Sequence, residues 1–175
     1  AGVGVPVKPY RVQALETEPT PAAAATPTLY DATSGFYWRA SAGGFLLGDG
    51  TEEREFDPDD WDETADEDFI AAGLERLDDA LAPDAERPAG VADAWAGLCT
   101  ATPDRDPLLG AVAPGLFAAV GWHGHGFMRA PALGERVAGA LVGERGPESD
   151  DVLRAFDPDR FDGDEEFAVV EGMTV

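Results

Sequence analysis

Between Val5 and Glu18 apolar and polar residues alternate loosely, which is the period of a half-buried strand. Pro6 and Pro9 mark the early part as an edge-type extended segment leading into a strand over Arg11 to Thr17. The stretch Pro19 to Thr28, PTPAAAATPT, is rich in Pro and Ala without helical caps and reads as a loop. Two short runs, Gly35-Phe36-Tyr37-Trp38-Arg39 and Gly44-Phe45-Leu46-Leu47-Gly48, are separated by a length suited to a hairpin. Phe69, Ile70, Leu74, Leu77 and Leu81 then recur at threes and fours. That spacing predicts an amphipathic helix from about Glu67 to Leu81, closed by Pro83.

Strand-like text returns from Val91 to Ala101, followed by a turn-rich loop, TPDRDPLLG, at Thr102 to Gly110. Leu116 to Val120 is a five-residue run expected to be a buried strand, ending at Gly121. After the loop GWHGHGFMRAP, a helix is expected from Pro131 to Val142, with Pro at its first position and Gly143 just past its end. Leu133, Val137 and Leu141 would form its apolar stripe, and Gly134 and Gly139 would allow close approach to a sheet. The chain beyond Gly146 is acidic, with Phe156, Phe161 and Phe167 as packing points.

These elements give a mixed α+β class: a mainly antiparallel sheet with flanking helices, plus a C-terminal strand-loop-helix. The length, 175 residues with 44% apolar content, lets such a chain bury roughly 70% of its unfolded surface. Charge adds a sharper constraint. Against 35 acidic residues stand 12 basic ones, of which only Lys8 is a lysine, for a net charge of −23. Phosphate binding requires clustered Lys and Arg, so neither nucleic acid nor an anionic membrane is an expected partner. At about 1 M salt the Debye length is about 3 Å, which screens neighbouring carboxylates. The Lys-poor, acidic composition therefore suggests a halophile, an archaeon that keeps salt inside its cells. One cysteine, Cys99, permits no internal disulfide and favours a cytoplasmic setting. No run reaches the ~18 apolar residues of a membrane helix.

The unit with chemical content is Leu116 to Val142: strand, glycine loop, helix. Backbone N–H groups exposed at a helix N-terminus stabilise negative charge. The segments WAGLCTATPDRDPLLG and PGLFAAVGWHGHGFMRAPALGERVAGAL resemble the C-terminal signature of the D-amino-acid oxidase superfamily, particularly its sarcosine oxidase and glycine oxidase branches. VPVKPYRVQALETEP is similar to the strand opening that family's substrate domain, GFYWRASAGGFLLGDG to its hairpin, and DPDDWDET with its helix continues the pattern. The resemblance implies a substrate-domain portion over 1–110, a strand-loop-helix over 111–161 that returns to the FAD domain, and an acidic tail over 162–175.

The resemblance further implies non-covalent FAD, with Gly121, His123, Gly124, His125, Gly126, Phe127 and Met128 passing the flavin's pyrimidine edge, where reduction develops negative charge. The covalent flavin position of some relatives falls on Gly97, so Cys99 reads as a small buried residue. Tyr37 matches a tyrosine of the substrate pocket, while its neighbours Phe36 and Trp38 equally allow a core aromatic. Cys99 and Met128 occupy substrate-carboxylate positions where relatives carry an arginine and a lysine, and Leu46 falls near an oxygen-activating lysine. Either Arg39 or Arg129 substitutes, residues outside this sequence supply the cation, or the substrate is not a simple amino acid. His123 and His125 line the flavin loop or are structural. With no third histidine and no close cysteine, they make no zinc site. The acidic runs at Glu52 to Asp68 and Asp157 to Glu166 lack the EF-hand order, so no metal is expected.

The family's G-x-G-x-x-G pyrophosphate motif has no counterpart here. Together with a start at Ala1 in strand-like text, this reads as a C-terminal piece missing its FAD-binding half and inactive alone. The implied whole enzyme oxidises the C–N bond of an amine or amino acid by hydride transfer to FAD. Two alternatives remain at this point: a non-enzymatic truncated substrate or interaction module, and a 2-hydroxy-acid oxidoreductase of the same superfamily.

Overall fold

The computed structural model describes residues 3–143, 147–162 and 164–169. The expected α+β class is present: strands β1 (Lys8–Thr17), β2 (Leu29–Asp31), β3 (Phe36–Ser41), β4 (Gly44–Thr51), β5 (Val91–Ala101), β6 (Leu108–Ala113) and β7 (Leu116–Val120), with helices α1 (Pro21–Ala25), α2 (Glu67–Ala80), α3 (Gly126–Val142) and α4 (Pro147–Ala155). The described residues form two compact units. A sheet unit holds Arg11–Glu52 and Phe56–Leu98, and a loop-helix unit holds the residues before Arg11, Glu53–Glu55 and those from Cys99 onward.

One sheet has the strand order β2-β3-β4-β1-β5, with β1–β4, β2–β3 and β3–β4 antiparallel. β1 is thus an interior strand, not an edge. On the β4 side Pro9 precedes the register, which begins at Val12. Strand alternation sends Leu15, Phe36, Trp38, Phe45 and Leu47 to one face, where Phe69, Leu77 and Leu81 from the α2 region cover them. Each such side chain contributes about 1.5–3 kcal/mol by leaving water. Gly73 lets α2 settle on β1, since a Cβ there would lie 3.3 Å from Leu15 Cδ2.

Beneath the acidic run, Arg11 is 4% exposed. Its guanidinium donates to the Asp62 carbonyl at 2.9 Å, to both Asp66 carboxylate oxygens at 3.1 and 3.2 Å, and to Glu52 and the Thr64 carbonyl. The arginine therefore organises the turn that leads into α2. Asp57 and Asp62 cap their own turns through the amides of Asp59 and Thr64.

Three elements depart from expectation. α1 occupies the supposed Pro/Ala loop, because Thr20 accepts from the Ala22 N–H and Pro21 stands at the first helical position. β6 lies within and beyond the supposed turn-rich loop and pairs with β7 as a hairpin. β7 is only partly buried, with Leu116 38% exposed. α3 begins five residues before Pro131, which is inside the helix. Pro131 cannot bond the Phe127 carbonyl, which belongs to a residue 97% exposed. Of the expected stripe only Leu133 is buried; Leu141 is exposed, and a Cβ added at Gly134 would meet no atom within 4 Å. Gly143 ends the helix in the left-handed conformation, φ 78°, as its position suggests.

In the loop-helix unit, Pro158 packs against Gly110, and the Leu109 N–H donates to the Phe156 carbonyl at 2.8 Å. Lys8 donates to the Phe167 carbonyl at 2.7 Å and lies 4.6 Å from that residue's ring centroid. Phe156, Phe161 and Phe167 are all half-buried. Of the acidic tail placed at 162–175, residues 163 and 170–175 lie outside the described residues.

Candidate functional site

The glycine loop is held from below by the turn that follows β5. Thr102, 2% exposed, gives its backbone N–H to His123 Nε2 at 2.7 Å and its hydroxyl proton to the Asp106 carbonyl at 2.8 Å. Asp104 receives two bonds from Arg160, at 2.8 and 3.0 Å, and Asp106 pairs with Arg129 of α3 at 3.0 Å. Burial pushes the Asp104 carboxyl upward, but the Arg160 bonds and the Asp106 amide outweigh it and hold the group below its usual range. The acids and bases of this turn neutralise one another. What they leave is a rigid seat.

Gly121 enters the loop at φ 79° with its N–H on the Thr100 hydroxyl at 3.1 Å, and a Cβ there would be 2.3 Å from Thr102 Cγ2. His123 follows at φ 48°, unusual for a residue with a side chain, and is 3% exposed. Its ring lies 6.2 Å from that of Tyr10. Gly124, at φ 74°, completes the reversal. His125 caps α3 by position, and the first helical bond runs from the Arg129 N–H to the His125 carbonyl at 3.1 Å. The amides of Gly126, Phe127 and Met128 precede that bond and have no acceptor inside the helix.

The expectation that Gly126, Phe127 and Met128 belong to the loop is thus corrected: they form the first turn of α3. Their chemistry changes with it, from loop contacts to helix-end donors. Phe127 and Met128 are 97% and 68% exposed. Burial, followed by the charge of Arg129, lowers the pKa of His125; burial, then His125, Arg105 and Arg129, lowers that of His123. Both rings are therefore neutral near pH 7, and both Nδ1 atoms are buried without a hydrogen-bond partner. No Asp or Glu occurs between Asp106 and Glu135, although the chain has 35 acidic residues. Helix-end amides and neutral imidazoles, with Asp104 and Asp106 engaged by Arg160 and Arg129, fit an electron-rich acceptor such as the pyrimidine edge of a flavin.

Of the other expected residues the sheet unit carries Tyr37 and Arg39, and the loop-helix unit carries Cys99. Tyr37 stands opposite Gly48 in register, on the face away from Phe36 and Trp38, and is half-buried. A Cβ on Gly48 would come within 2.5 Å of the Tyr37 ring, so glycine provides the ring's space. Arg39 is exposed on the same face and stands opposite Leu46. Cys99 is half-buried, more open than the small core residue expected. Arg129 spends its charge on Asp106, whereas among the described residues Arg39 has only a 3.3 Å contact to the Ala40 carbonyl. Sequence reading passed over Thr102, Asp104, Asp106 and Arg160, although the Thr-Pro-Asp-Arg-Asp-Pro text marked the turn they build.

Among the described residues no three His, Cys, Asp or Glu side chains are placed to hold a metal ion, and no helix is long and apolar enough to cross a membrane. Residues 1–140 match the family described as DAO, FAD dependent oxidoreductase. The chain is similar to L-proline dehydrogenase from P. horikoshii, with 27% identity and a TM-score of 0.68 over 91% of this chain and 41% of that one. It shares its fold with glycine oxidase from Geobacillus kaustophilus, at 24% identity and a TM-score of 0.66, covering 83% of this chain and 38% of that one. A stretch of 75 residues, 42% of the chain, is 39% identical to the tRNA 5-methylaminomethyl-2-thiouridine biosynthesis bifunctional protein MnmC of Thiobacillus denitrificans and spans 12% of that protein.

Proposed function

This chain belongs to the DAO family of FAD dependent oxidoreductases, and we propose that it forms the substrate-facing and flavin-facing part of an enzyme that oxidises the C–N bond of an amine or amino acid. The observation that carries this reading is the start of α3, where three helix-end amides stand beside two neutral histidines and the Asp106 carboxylate is held by Arg129. When bound, FAD accepts the electrons and hydrogen of the C–H bond next to the amine nitrogen, leaving an imine that water hydrolyses. The amides of Gly126, Phe127 and Met128 would face the ring's pyrimidine edge and stabilise the charge that reduction places there. No cysteine stands at Gly97, which supports non-covalent attachment.

Tyr37 and Arg39, neighbours on one sheet face, would receive the substrate, Arg39 supplying the cation that Leu46, Cys99 and Met128 do not. This is why an amino acid is preferred to an uncharged amine. The tRNA named for MnmC is not adopted, because a net charge of −23 repels a polyphosphate.

The chain spans about two fifths of the length of the solved structures it matches, and its sequence has no G-x-G-x-x-G motif. The pyrophosphate site accordingly belongs to residues outside these 175. Titration of FAD by calorimetry tests both points: weak or absent binding by this chain alone is expected, and tight stoichiometric binding would refute the need for a second half. Loss of amino-acid turnover, with retained flavin, in Arg39→Met of the complete enzyme is the result expected for the substrate cation.

A further inference from the structure

We propose that His123 is a positioning residue, an acid-sensitive latch that holds the glycine loop to the Thr102 turn only while its imidazole is neutral. The proposal rests on the flavin-facing reading for its functional meaning, but its geometry stands by itself. Nε2 accepts the Thr102 backbone N–H at 2.7 Å. The Thr102 hydroxyl, 3.1 Å from the same nitrogen, has already committed its proton to the Asp106 carbonyl. Nε2 must therefore present its lone pair, and the ring's proton resides on Nδ1. That Nδ1–H is buried without an acceptor.

Protonating the ring places an N–H on Nε2 directly against the N–H of Thr102, and the bond is lost. The change occurs at the base of the reversal that delivers the amides of Gly126, Phe127 and Met128, so the consequence is a loosened helix start. The charged and titratable groups around the ring are Tyr10 from β1, Asp104, Arg105 and Asp106 from the turn after β5, and His125 and Arg129 from the loop and α3. Asp104 and Asp106 are engaged by Arg160 and Arg129, which leaves little free negative charge to welcome an imidazolium. Burial first, then His125, Arg105 and Arg129, lower the group's pKa. A lowered value means the latch is fully closed above the unfolded pKa of about 6.5 and opens as pH falls through the folded value.

The chain has only two histidines, so ¹⁵N imidazole spectroscopy of the chain can assign both. His123 is expected as the Nδ1–H form at pH 7, titrating below about 6.5. His123→Gln keeps an acceptor near the Nε2 position without a titrating group, and its Cβ meets the same φ as histidine. On the acid side of the transition, Thr102 amide exchange should run about tenfold faster in the native chain than in His123→Gln at equal pH. An Nε2–H form at neutral pH, titration at the ordinary value, or identical exchange profiles would each overturn the latch. The first two readings are made on the native chain and hold even if the variant fails to fold. None needs cofactor, so failure of the complete enzyme to bind FAD would remove the flavin reading and leave the latch, and an unlatched Thr102 would do the reverse.

Discussion

Gly121→Ala isolates the contact between the glycine loop and its seat. The new Cβ would lie 2.3 Å from Thr102 Cγ2, where carbon atoms prefer about 3.5–4.0 Å. Thr102 cannot step aside cheaply, because its N–H is on His123 and its hydroxyl is on the Asp106 carbonyl. Overpacking of this kind costs about 1–3 kcal/mol. The backbone at φ 79° adds the left-handed penalty of an L-residue, about 1–2 kcal/mol. The expected loss is therefore about 2–5 kcal/mol. Gly124→Ala supplies the control, since it has nearly the same φ, 74°, and no atom within 4 Å of the added carbon. It should lose only the backbone penalty, about 1–2 kcal/mol. Urea unfolding followed by circular dichroism, with the slope checked for constancy, measures both. Equal losses, or a larger loss at Gly124, would refute the claim that Thr102 is an immovable seat.

Arg11→Met should destabilise the sheet unit by about 1.5–3 kcal/mol, the worth of one hydrogen bond involving a charged group, since the bonds to exposed Asp66 add little. The Arg11 hydrogen bonds hold the Asp66 carboxyl below its ordinary value. Its contribution is thus present above about pH 3.9 and lost as pH falls through the lowered folded value; Arg11→Met should flatten that acid limb in a stability-pH profile. With a net charge of −23, raising KCl towards 1 M should raise the urea midpoint, and an unchanged midpoint across that range would dismiss self-repulsion as a factor.

The elements legible in the sequence were those whose period dominates their composition. α2 carries Phe69, Ile70, Leu74 and Leu77 at threes and fours, and the β3–β4 hairpin alternates Phe36, Trp38 against Tyr37, Arg39. The failures came where composition hid a local signal. Thr20-Pro21 is a helix start, but five residues of Pro and Ala looked like linker. Leu108-Leu109-Gly110 was absorbed into the Asp- and Pro-rich turn before it, so β6 vanished. Pro131 looked like a first helical residue, although the helix starts five residues before it. The glycine loop was visible as text, whereas its support was not. Thr102 meets His123 across 21 residues through a single bond that no local pattern encodes.

Lys8 gives the chain a chemical handle. It is the single lysine in the sequence, and its amine is tied to the Phe167 carbonyl and ring with 29% of its side chain exposed. Amine-reactive reagents therefore find one side-chain target, and acylation must wait for that target to let go. The rate of a single covalent labelling event becomes a clock for release of the segment around Phe167, readable by mass spectrometry without any engineered probe.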